Sequence, residues 1–169
     1  MFPEQTFKHA PVAAGQGSFL LRQGEQQEDI FYLQEGVVRA VHVSADGVER
    51  VKEFYFAGEY CFLYLSWLAK VPARYSLQAI TPISYQRLPL SYLATSQGAQ
   101  LADSLLRQQL IYKERKEEMM LLYAPEKRYA YVLEHFPTWC ERLTQRELAN
   151  YIGITAVSLS RIRKRINKR

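Results

Sequence analysis

The chain has 169 residues, 48% of them hydrophobic and 23% charged, with a net charge of +5, the balance of a globular protein able to bury a core in one domain or two small ones. No run reaches the roughly 18 apolar residues of a membrane span, the most hydrophobic window being the short stretch from Tyr60 to Leu68. The amino-terminal MFPEQTFKHAPVAAGQGS has no apolar signal-peptide core, so export is not expected. Cys61 and Cys140 stand apart, in no metal-ligand spacing, and read as free thiols of a cytoplasmic protein.

Charge is unevenly spread. From Arg142 to Arg169 there are eight basic residues and one acid, a net +7, whereas residues 1 to 141 carry −2. A basic end on a near-neutral body points to a polyanion partner at that end, or, more plainly, to a solvated basic tail.

Along the chain, Ser18–Arg22, Ile30–Gln34, Val37–Ser44 and Val48–Phe56 are rich in Val, Ile, Phe and Tyr and separated by turn residues, with Asp46-Gly47 as a hairpin signal. Such punctuation predicts a β sandwich or barrel. Residues 59 to 70 read as a short buried helix ended by Pro72, and strands return at Tyr75–Ile80 and Ile83–Leu88. From Ser96 to Tyr123 there is no Pro, and Leu101, Leu105, Gln108, Tyr112, Arg115, Met119 and Leu122 recur in alternating steps of four and three, widened by Leu106 and Leu110. This is one side of a long helix, either packed on its own domain or forming a seam between two copies. Ala124-Pro125-Glu126 interrupts it, and Glu126–His135 reads as a further helix. Tyr129, Tyr131 and Trp139, on the helical stretch leading to the carboxy-terminal module, are expected to pack that module against the first domain.

The strongest motif is QRELANYIGITAVSLSRIRKR, Gln145 to Arg165. A helix-turn-helix needs a small residue where its helices touch and a Gly at the turn. Counting from Gln145, Ala149 and Gly153 take those places, and Leu148, Ile152, Ile154, Leu159 and Ile162 the apolar ones. Thr144 with Glu147 forms a capping box for the first helix, and Thr155 caps the second. A purely structural helical hairpin is the plainer alternative. In the DNA-binding reading the second helix enters the major groove. Ala156, Val157, Ser158, Ser160 and Arg161 then face base edges, with Arg161 the best base reader and a phosphate contact its other role. Arg146, Arg163, Lys164, Arg165 and Lys168 meet phosphates.

The order of parts resembles the Crp/Fnr family of regulators, over nearly the whole chain. LLRQGEQQEDIFYLQEGVVRAVHVSADGVERVKEFYFAGE is similar to the family's roll pattern, and ELANYIGITAVSLSRIRKRI to its helix pair. The resemblance implies an α+β fold. Its parts are an N-terminal antiparallel β-roll (double-stranded β-helix) over 1–95, a long dimerisation helix over 96–123 and a small all-α helix-turn-helix domain over 124–169. It implies a homodimeric transcription regulator that binds double-stranded DNA, with RNA polymerase as a further partner and a small-molecule effector in the roll. The family's base-reading places fall on Ala156, Val157 and Arg161; the first two are apolar and suit a thymine methyl. The chain departs from the family in lacking most of the helical lead-in and the β-hairpin wing, which suggests weaker or partner-dependent DNA binding.

In the family's cyclic-nucleotide binders a Gly-Glu pair before a short helix takes a ribose hydroxyl, and an Arg-Ser/Thr pair after it takes the cyclic phosphate. Gly58, Glu59, Arg74, Tyr75 and Ser76 are the counterparts here, with cAMP as the implied type of ligand. Arg74 follows Glu59 by 15 residues, a longer spacing than in those binders, Tyr75 takes the Ser/Thr place, and YCFLYLSWLAKVPA between them is bulky enough to fill the pocket. Glu59 and Arg74 as ordinary surface or rim residues is therefore a second reading. An enzyme is not expected: His9, His42 and His135 are isolated, in no H-x-H or H-E-x-x-H pattern, and there is no phosphate-binding Gly loop or nucleophile elbow. The remaining alternative is a ligand-binding or protein-interaction module of the same fold that does not bind DNA.

Overall fold

The structure, a computed structural model, describes residues 10–166; Lys168, expected at a phosphate, lies outside them. It divides into two compact units, Met1–Leu106 and Arg107–Arg169.

The first unit holds β1 (Val12–Ala14), β2 (Phe19–Leu21), β3 (Asp29–Glu35), β4 (Val37–Val43), β5 (Glu49–Phe56), β6 (Tyr60–Cys61), α1 (Tyr64–Ala69), β7 (Ser76–Ala79), β8 (Ile83–Pro89), a 3₁₀ turn over Leu90–Ala94 and the start of α2 (Ser96–Leu122). The strands form two antiparallel four-stranded sheets, ordered β1-β8-β3-β6 and β2-β7-β4-β5. Alternating residues of both, including Leu33, Val38, Ala40, Tyr55, Leu77 and Tyr85, meet in one core, as the two-residue repeat of strands requires. The protein is thus α+β, with antiparallel sheets followed by a long helix.

One feature differs from the expectations. The helix expected over 59–70 begins only at Tyr64, because Tyr60 and Cys61 pair with Tyr32 and Phe31 and the Tyr60 ring packs 4.9 Å from that of Tyr32. The stripe on α2 is divided. Leu101 and Leu105 are buried with Ile30, Phe62 and Leu88 in the first unit, and Met119 is buried too. The large exposed apolar residues of α2 are Leu110, Ile111, Leu121 and Leu122.

The second unit contains the rest of α2 with α3 (Pro125–His135), α4 (Pro137–Arg142), α5 (Gln145–Tyr151) and α6 (Ala156–Ile166). Val132, Leu148, Ala149, Ile152, Leu159 and Ile162 are buried. Rings line up beside them: Phe136 stacks on Trp139 at 4.3 Å, and Trp139 meets Tyr151 edge-on at 4.9 Å. Tyr131 stacks on His135 at 4.0 Å, and Tyr129 is buried. These ring contacts of Tyr131 and Trp139 are made within the second unit. Among the described residues no helix is long and apolar enough to cross a membrane.

Candidate functional site

The carboxy-terminal helix pair is built by local chemistry. Thr144 Oγ1 accepts from the Glu147 backbone N–H at 3.2 Å, and Glu147 Oε2 accepts from the Thr144 N–H at 2.8 Å, a complete capping box. Thr155 Oγ1 accepts from the Ser158 N–H at 3.1 Å, which starts α6. Between the helices Gly153 holds φ +75°. A side chain there would approach Met120 and Arg128. Gln145 Nε2 donates to the Ala156 carbonyl at 2.6 Å and ties the first helix to the start of the second. Thr144→Ala removes the cap from α5 and should destabilise the second unit by about 1 kcal/mol, read as a lowered urea midpoint through Trp139 fluorescence.

Of the residues expected at DNA, Val157, Ser158, Arg161, Lys164 and Arg165 are exposed on α6, and Arg146 and Thr155 are exposed before it. Val157 is 62% exposed, an apolar side chain with no core to enter. Ala156 and Ser160 are half-buried. Arg163 is half-buried as well, and its charge acts on Tyr129 and Cys140, whose groups burial otherwise pushes up. Beside the exposed face runs an open groove of about 590 Å³ lined by Pro125, Glu126, Ser158, Arg161, Ile162, Lys164 and Arg165.

Two contributors had no local sequence signal. Glu126 pairs with Arg165 at 2.5 Å across 39 residues. Arg128 donates to three backbone carbonyls, those of Tyr123 (2.8 Å), Met120 (2.9 Å) and Ile152 (3.1 Å). One guanidinium thereby fastens the end of α2 and the α5–α6 turn to α3.

In the first unit, the expected ligand residues are dispersed among structural duties. Gly58 and Glu59 form the turn between β5 and β6, where Glu59 Oε2 accepts from the Phe56 N–H at 2.7 Å. Loss of hydration pushes that carboxyl above the usual range, against the lowering effect of the hydrogen bond. Arg74 is exposed. Tyr75 is buried among core side chains. Ser76 Oγ accepts from the Gln23 N–H at 2.9 Å. Among the described residues, no group of three His, Cys, Asp or Glu is placed to hold a metal ion. Both cysteines are free, with Cys61 buried and its thiol raised by burial.

Residues 11–95 match the family model described as cyclic nucleotide-binding domain. The chain belongs to the cyclic nucleotide-binding domain family. Among solved structures, that of FixK2 from Bradyrhizobium japonicum aligns with a TM-score of 0.81 at 17% identity, covering 94% of this chain and 84% of that one. A CRP-family transcriptional regulator from Thermus thermophilus aligns with a TM-score of 0.74 at 16% identity, covering 93% and 84%. CLP, a c-di-GMP responsive global regulator from Xanthomonas campestris, aligns with a TM-score of 0.72 at 16% identity, covering 94% and 86%. These structures share the fold of this chain. No curated protein matches the chain.

The family's name implies a cyclic nucleotide, and the residues present do not fit one. The pair that adjoins the start of α1 is Phe62-Leu63, both fully buried, where ribose recognition needs a carboxylate. Gly58-Glu59 is separated from α1 by β6. Beyond α1, Tyr75, in the Ser/Thr place, is part of the core.

Proposed function

We propose that the chain is a DNA-binding transcription regulator of Crp/Fnr type. In this reading residues 1–95 are a roll, 96–123 a dimerisation helix and 124–169 a helix-turn-helix domain. The observation that carries it is the exposed face of α6, where Val157, Ser158, Arg161, Lys164 and Arg165 lie on a rigidly capped helix within the segment of net charge +7. Small and apolar side chains at the start of α6 leave room for base edges, Arg161 can pair with a guanine, and the later cations suit phosphates.

Dimerisation would use the exposed apolar positions of α2. Leu110 and Leu121, like Ile111 and Leu122, stand about three helical turns apart and so share a face. Two copies of α6 would then read a near-palindromic site with half-sites about one DNA turn apart. The protein would act in the cytoplasm alongside RNA polymerase.

The test is selection of bound genomic fragments followed by anisotropy titrations of the full chain. Affinity for the selected site should fall by about 10³–10⁵ between roughly 50 and 200 mM salt, as expected for six to ten phosphate contacts per dimer. Arg161→Ala should lose about 1–3 kcal/mol and relax preference at one base pair per half-site. A flat salt response, or no fragment selected, would leave a protein-interaction module instead.

A further inference from the structure

The face of β5 that looks into the roll carries a charge that the ligand residues discussed above do not use. Glu53 is 3% exposed. It shares its side of the strand with Tyr55, two residues on and part of the roll core. The Tyr55 hydroxyl donates to Glu53 Oε1, and Lys52 Nζ lies 2.6 Å from the same oxygen. Adjacent residues of a regular strand point to opposite faces and do not meet in this way. Here the pairing of β4 with β5 slips, Ala40 facing Glu53 and Val41 facing Val51, which leaves Lys52 as the extra residue of a bulge.

From that pair a continuous set of contacts crosses to the segment after α1. Lys52 Nζ sits 5.0 Å over the Tyr75 ring, the His42 ring packs 5.0 Å from Tyr75, and His42 Nδ1 lies 3.0 Å from the Arg74 carbonyl oxygen. Tyr64 on α1 and Cys61 on β6 also feel the Glu53 charge. By these contacts the Glu53–Lys52 pair on β5 is joined through Tyr75 to the Arg74–Ser76 segment, which was expected to hold a ligand.

We propose that the roll is closed by its own side chains, with the Glu53 carboxylate, held by Lys52 and Tyr55, as its internal anion, and that it takes no cyclic nucleotide. A cyclic phosphate brought to this interior would meet a like charge in a medium of low polarity, where repulsion is weakly screened. Its counter-cation, Lys52, is already matched. The aromatic volume of Tyr55, Tyr64 and Tyr75 would have to leave as well. The roll then acts as a permanently filled scaffold, whether or not α6 reads DNA.

The experiment titrates the full chain with cAMP and cGMP by calorimetry, repeats it with Arg74→Ala, and measures DNA affinity with and without 1 mM of each nucleotide, a concentration on the order of 1,000 times a micromolar Kd. No saturable heat, and DNA affinity changed less than about twofold, is the expected result. Saturable binding by the native chain that Arg74→Ala abolishes would overturn the proposal. Absence of any DNA binding would sink only the regulator reading, since the calorimetry stands without it. A second arm follows thermal unfolding through Trp67 in a Trp139→Phe background. Glu53→Gln should lower the transition by at least about 4 °C, because Lys52 loses its buried counter-charge, and adding Lys52→Met should restore part of the loss. An unchanged transition would show that Glu53 is not the internal anion.

Discussion

Gly36→Ala is expected to cost the first unit about 2–5 kcal/mol, combining a left-handed backbone for a residue with a Cβ and overpacking of a tight contact. Gly36 joins β3 to β4 with φ +87°. A Cβ built there lies 2.3 Å from the Pro82 carbonyl oxygen, 2.7 Å from Ile83 Cγ2 and 2.8 Å from Thr81 Oγ1. Those atoms cannot retreat cheaply. The Val37 N–H donates to Thr81 Oγ1 at 2.9 Å, and the Ile80 N–H donates to the Val37 carbonyl at 2.9 Å, so the two turns are stapled to each other. Gly47→Ala provides the control: φ is +80° but nothing stands within 4 Å, so only the backbone term of about 1–2 kcal/mol remains. Urea unfolding followed through Trp67, with Trp139 replaced by Phe, reads both. Equal losses for the two variants would refute the steric part of the argument.

Arg128→Met should destabilise the second unit by about 2–4 kcal/mol. Three hydrogen bonds from a charged donor disappear, each of the class worth about 1.5–3 kcal/mol, and water recovers part because the site is only half-buried. Arg128→Lys should recover little, since one ammonium cannot span carbonyls fixed by the planar fork of a guanidinium. The loss reaches beyond stability because one of the three acceptors, Ile152, belongs to the α5–α6 turn. In the regulator reading DNA affinity should fall with both variants even under conditions where circular dichroism shows them folded. Full DNA affinity in a folded Arg128→Met protein would show that the turn is held without it.

How much was legible beforehand followed the range of the interaction responsible. The strand series from residue 18 to 56, the Asp46-Gly47 turn, the Thr144–Glu147 capping box and the positive φ of Gly153 are all specified within a few residues by two-residue alternation, a side chain reaching a nearby N–H, or the absence of a Cβ. These could be read from the residues alone, together with the α+β order of elements and the basic carboxy-terminal end. Tyr60 and Cys61 read as helix because their apolar run is ambiguous in periodicity; they are strand because Phe31 and Tyr32 pair with them. The α2 stripe was visible, but its division between a core near Leu101 and another at Met119 depends on which neighbours arrive. Glu53 has no mark in the sequence beyond its place in the strand Val48–Phe56. Only the bulge at Lys52 and the rings of Tyr55 and Tyr75 turn it into a buried anion. Arg128 and Glu126 carried no local signal of their roles, because the contacts that define them reach 24 and 39 residues along the chain. The folded arrangement settles such cases because burial and long-range pairing set the worth of a side chain only after distant segments have met.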